Sequence, residues 1–166
     1  GGVSTGPCSS LNIAMDVGDK VENVRENRRR VKSVMGLDSV VHARQVHGCE
    51  VFCLDRQPAK DLRVEKVDAL ITNQEDVGLL IQQADCQAVL VFDPVAGAVG
   101  AAHCGWRGSV RGVLPAMVGA MGREFGTKAP DLHAVISPSL GSCCAEFVNH
   151  RRELPARFRE YMVREN

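Results

Sequence analysis

Between residues 68 and 103 four short apolar runs follow one another: "DALIT", "GLLIQQ", "AVLVFD" and "GAVGAAH". Each has strand length, and turn residues such as Asp93-Pro94 separate them. Their residues are apolar in sequence rather than in alternation, the pattern of strands covered on both faces. That requirement excludes an open one-sided sheet and calls for helices or a second sheet on either side. Helical spacing supplies helices. The predicted first helix runs from about Lys20 to Met35, with Val21, Val24, Val31 and Val34 near one face and most basic residues, Arg28 among them, elsewhere. Gly36 is its stop. A second helix is expected over Arg107–Phe125, with Pro115 in its first turn or kinking it, and a third over Glu153–Glu165, with Pro155 in its first turn.

"VVHARQV" and "EVFCL" flank His47-Gly48-Cys49 as a hairpin or bulged pair, Asp55–Lys66 reads as a surface loop, and "LHAVIS" as a further strand. No repeat or linker divides the chain, so residues 1–166 are read as one mixed α/β domain, a size that buries most of its surface unaided. The opening "GGVSTGP" and the helical pattern at the end both have the look of edges cut from a longer chain.

Twenty basic residues balance twenty acidic ones, so no net field draws the chain to nucleic acid or a membrane. Its longest apolar runs are too short to span a bilayer, and no signal peptide opens it. Seven cysteines, an odd number in a chain able to form its own core, argue against a secreted disulfide framework and for a reducing cytoplasm.

Chemistry gathers where strands give way to turns. His47 stands in "RQVHG", Cys86 in "QQADCQ" and His103 in "AAHCGWRG", separated by 39 and then 17 residues. Two imidazoles and a thiolate are a recognised zinc set that leaves one tetrahedral position open, and the wide spacing suits ligands gathered from different strand ends. Singly, His47 reads as an ordinary surface histidine and Cys86 as a small core residue. His103 is the stronger signal, because an imidazole ending a buried strand needs a partner. Asp85 is a carboxylate to hold a ligand histidine or move a proton, or else a turn residue. Gly105 and Gly108 permit close backbone approach around Trp106 and Arg107. Trp106 is a stacking wall or a packed side chain. Arg107 and Arg28 are guanidinium forks suited to phosphate, although the physics of "RENRRR" favours a solvated face for Arg28. Cys104 points to the face opposite His103.

"GGVSTGPCSSLN", "VRENRRR", "RQVHG", "DALIT", "ADCQAVLVFDP", "VGAAHCGWRG" and "ISPSLGSCC" occur in order, and together they resemble the YfiH/laccase-domain family along nearly the whole chain. The resemblance implies a single-domain α/β sandwich with mixed β-sheets. It also implies a metal, usually Zn2+ with Cu2+ as the alternative, on His47, Cys86 and His103. The implied activities are phosphorolysis of adenosine, inosine, guanosine and methylthioadenosine, and deamination of adenosine. Purine nucleoside and phosphate are then the small-molecule partners, with Arg28, Gln45, Trp106, Arg107 and Glu146 as substrate contacts and Asp85 or Glu146 handling protons.

Two alternatives stand beside this. A laccase-like copper phenol oxidase ranks lower, because multinuclear copper needs more imidazoles than five histidines provide. A hydrolase or peptidoglycan-precursor editing factor would use Cys86 as nucleophile and His103 as base. The chain departs from the family pattern at Cys104, where alanine is usual, and at Ala145, where an aromatic is usual. Family members also continue well past the point where this chain ends, and a pocket completed there would leave this stretch binding metal but turning over poorly.

Overall fold

The computed structural model describes residues 1–161 other than Ser142, Glu146 and Phe147, and without the side chains of His150, Arg159, Glu160 and Tyr161. Eight strands form two sheets. In the first, β1 (Ser39–Arg44) lies between β3 (Leu62–Glu65) and β5 (Val77–Leu80), all parallel. In the second the order is β2 (Val51–Leu54), β4 (Ala69–Thr72), β7 (Ala98–Cys104), β6 (Gln87–Asp93) and β8 (His133–Ile136). There β2 and β4 are parallel and the remaining pairs antiparallel. The mixed α/β sandwich expected of the family is therefore present.

β4 shows why its sequence carries no alternation. Ala69 and Ile71 pack toward α3 (Val113–Phe125), while Leu70 packs into the core shared with the three-stranded sheet, and all are fully buried. One core joins Val89, Val91, Ala98 and Ala102 to Val113, Met117, Ala120 and Met121 of α3. The other joins Val41, Ala43 and Val77 to Leu54 and Leu70, sheet against sheet. The far end of the larger sheet is barer, with Leu90, Phe92 and Val135 each about half exposed or more.

Four local expectations need correction. β1 and β2 are not a hairpin: they belong to different sheets, and residues 45–50 carry the chain across the sandwich. Both strands are apolar, and nothing in that pattern says which neighbour each takes. The stretch read as loop contains β3, where Leu62 and Val64 meet the core while Arg63 and Glu65 face out. Four residues are too few to make that alternation conspicuous. The second helix is two, α2 (Trp106–Arg111) and α3, broken at Gly112 with φ 85°, and Pro115 sits in the first turn of α3. Around Pro155 the chain breaks between α4 (His150–Glu153) and a 3-10 turn at Ala156–Tyr161. Proline removes an amide donor and moves its predecessor out of the helical region, which is why it ends this helix rather than starting it. Residues 162–166 of that expected helix lie outside those described.

α1 (Val21–Met35) ends at Gly36 in the left-handed region, as expected, but buries a different face. Val24, Asn27 and Arg28 are inside, and Val34 is 89% exposed. Asn27 explains the choice. Its side chain accepts from the Val3 amide and donates to Ser4 Oγ and the Asn12 carbonyl, so it ties the N-terminal loop to the helix. Arg28 adds a bond from its Nε to the Ile13 carbonyl on the same side.

Candidate metal centre

The site forms where three strands end. His47 follows β1, Cys86 precedes β6 and His103 closes β7 beside β4. The candidate ligand atoms of the three all lie within 4.8 Å of one another. The two imidazole rings meet edge to face at 4.7 Å between centroids. Small side-chain rotations close that spread to bonds of about 2.0–2.3 Å, so the donor set fits a tetrahedral ion with one free position.

Asp68 organises the group. It starts the run into β4, is fully buried, and all its acceptor capacity is used. Oδ1 accepts from the His47 amide at 2.9 Å and faces His103 Nδ1 at 2.8 Å, while Oδ2 accepts from the Val46 and Gly48 amides at 3.0 and 2.8 Å. Burial disfavours its charge, but His103 and the three amides outweigh burial and hold the carboxyl below its usual value. Two consequences follow. The carboxylate, which can only accept, favours the His103 tautomer with its proton on Nδ1 and leaves Nε2 to face a cation. The same carboxylate pins the 46–48 turn, where His47 adopts φ 58°, a left-handed conformation unusual outside glycine.

Gly105 supplies the space. A Cβ there would stand 2.8 Å from His47 Cδ2, 3.1 Å from Cys86 Sγ and 3.4 Å from His103 Cε1. Gly108 is similarly constrained, since a Cβ would meet the Gly48 carbonyl at 2.8 Å. The two glycines of "GWRG" thus let α2 close over the His47 turn.

Burial, and then the charge of Asp85, push the Cys86 thiol above its ordinary value. A cation is what would draw that thiol to the ligating thiolate. Cys104 packs in the core against α3, on the other face of β7 from His103, and burial followed by Cys86 pushes its thiol up to about 11.

A cavity of about 710 Å³ opens from the trio, lined also by Arg28, His42, Gln45, Arg63 and Asp85. Arg28 corrects the expectation of a solvated face, because only 5% of it is exposed. Gln45 spends its amide on the Gln82 backbone, donating at 2.6 Å and accepting at 2.8 Å, and so braces the exits of β1 and β5. Asp85 is exposed, and its carbonyl accepts from the Leu140 amide. The carboxylate on the ligand histidine is therefore Asp68 rather than Asp85, a residue sequence reasoning passed over although an aspartate led straight into an apolar strand. Trp106 and Arg107 are not among the lining residues: Arg107 stacks on Trp106 at 4.8 Å and pairs with Glu153 at 3.5 Å. Glu146 lies outside the described residues.

The family described as multi-copper polyphenol oxidoreductase laccase matches residues 1–165. A purine nucleoside phosphorylase, ORF3 of Streptomyces griseus, is 40% identical over 154 residues, covering 92% of this chain and 62% of that protein. Among solved structures, YlmD from Geobacillus stearothermophilus aligns with TM-score 0.78 at 34% identity over 87% of this chain and 57% of that one. The hypothetical protein YfiH of Bacillus licheniformis aligns with TM-score 0.77 at 32% identity, with the same coverage of both chains. The chain spans 56–63% of the length of the first curated relatives it matches. No described helix is long and apolar enough to cross a membrane.

Proposed function

This chain belongs to the YfiH/laccase family, and from that premise we propose that it is a zinc-dependent purine nucleoside enzyme. Its reactions are phosphorolysis of adenosine, inosine, guanosine and methylthioadenosine, and deamination of adenosine. The observation that carries the reading is the convergence of His47, Cys86 and His103 at a cavity whose wall holds the buried guanidinium of Arg28. Relatives named purine nucleoside phosphorylase support the substrate class.

A bound zinc ion supplies Lewis-acid polarisation and lowers the pKa of water. The chain's own residues do the rest. Asp68 orients His103, Gly105 leaves room for the trio, and Arg28 places phosphate for attack at C1′ of the sugar. As the phosphate oxygen bonds to C1′, the bond to the purine nitrogen breaks and its electron pair leaves on the base. Asp85, which also lines the cavity, is the candidate to manage the base's proton. Arg107 is given no step in this scheme, because it does not line the cavity.

The test is incubation of the purified, zinc-loaded protein with adenosine, inosine and methylthioadenosine, with and without phosphate, followed by chromatography. Phosphate-dependent release of free base supports phosphorolysis, and phosphate-independent inosine from adenosine supports deamination. Neither product at any metal loading overturns the reading. One competing reading has an observation behind it: Cys86, His103 and Asp68 also have the order of a Cys-His-Asp hydrolase relay. Alkylation separates the two. A ligand thiolate is protected while metal is bound, whereas an activated nucleophile labels at once.

A further inference from the structure

We propose that Arg28, His42 and Arg63 form a subsite for inorganic phosphate in the cavity that the His47, Cys86 and His103 side chains also line. The inference rests on the phosphorolysis reading for its choice of anion, and on geometry for its position.

Arg28 carries an open valence. Its Nε donates to the Ile13 carbonyl at 2.9 Å, but Nη2 is buried with no hydrogen-bond partner. A buried guanidinium N–H without an acceptor is costly, and such groups are normally satisfied. Neighbouring carboxylates do not fill the gap. Asp61 accepts from Lys32 at 2.8 Å and from the Val40 amide at 3.1 Å, and Asp16, largely exposed, pairs with Arg63 at 3.4 Å.

His42 and Arg63 are register partners on β1 and β3. Because Val41 and Ala43 point into the core between the sheets, His42 faces the other way and, with Arg28 and Arg63, lines the cavity. Burial, then Arg28 and Arg63, hold the His42 imidazole below its usual value, against weaker opposing pulls from Asp61 and Asp16. A neutral ring beside two guanidiniums both donates and accepts, which matches monohydrogen phosphate, an anion with acceptor oxygens and one hydroxyl. The ion pairs of Arg63, with Asp16 and with Glu65 at 2.9 Å, are exposed and exchange at little cost.

The experiment measures binding of inorganic phosphate to the zinc-loaded protein by calorimetry, beside the KM for phosphate and for inosine. Variants are Arg28→Gln, His42→Gln and Arg63→Gln. Arg63 sits exposed on the edge strand β3 and His42 is only partly buried on β1, so these two keep the test open if Arg28→Gln fails to fold. The expected result is about tenfold weaker phosphate binding and a similarly raised KM for phosphate, as for the loss of a charge-assisted hydrogen bond, with the KM for inosine unchanged. Unchanged phosphate binding in His42→Gln and Arg63→Gln overturns the subsite. Weakened binding of a nucleoside 5′-monophosphate alone overturns it too, in favour of an ester phosphate. If phosphate binding weakens in the variants but no substrate is cleaved, the subsite stands and the phosphorolysis reading falls. Phosphorolysis with an unchanged KM for phosphate has the opposite meaning.

Discussion

Asp68 concentrates more of the site's geometry than any ligand does. Three amides and one imidazole converge on a carboxylate with no solvent exposure. Asn in its place keeps the shape but turns one acceptor into a donor facing N–H groups. Asp68→Asn should therefore cost about 3 kcal/mol in chemical denaturation and lower zinc occupancy, read by metal analysis of the dialysed protein. The pH dependence follows from the direction of the shift. A carboxyl whose folded pKa lies below its unfolded value of about 3.9 contributes fully above that value and loses its contribution as pH falls through the lower, folded one. The stability gap between wild type and Asp68→Asn should be flat near neutrality and shrink only below about pH 4. A gap that shrinks instead between pH 6 and 7 would assign the effect to an imidazole.

At the scale of elements, the short α2 is set by glycine at both ends. Gly105 leads into it beside the trio, and Gly112 closes it with φ 85° before α3 begins. A Cβ at Gly112 meets nothing within 4 Å, so substitution there tests backbone conformation alone. Gly112→Ala should destabilise the protein by about 1 kcal/mol, measured by denaturant titration, and Gly112→Asn by less, because asparagine tolerates the left-handed region. Equal losses for the two would locate the constraint in packing. A helical pattern with glycines inside it reads as one helix, and at one of them, Gly112, the expected Arg107–Phe125 element divided. The edge strand β3 escaped notice for the converse reason, since its outward residues are charged and its inward ones are only two, Leu62 and Val64.

For the whole molecule, three chain segments far apart in sequence meet at one point, so an ion bound there cross-links both sheets. Chelation should lower the melting temperature, and one equivalent of zinc should restore it, as expected for a ligand that binds only the folded state. A melting temperature indifferent to chelator and zinc alike would remove the metal from the account. Apart from β3, the strands and the boundaries of α1 could be read from one dimension, because burial on both faces and helical period are written in consecutive residues, and His47, Cys86 and His103 stood out as candidates at strand ends. What the chain order could not express is which strand lies beside which. Sheet membership decided that β1 and β2 part company, that Arg28 turns inward beside His42 and Arg63, and that Asp68 rather than Asp85 reaches His103. Those outcomes depend on pairing between segments tens of residues apart, which many apolar strands satisfy equally well until the packed core selects one.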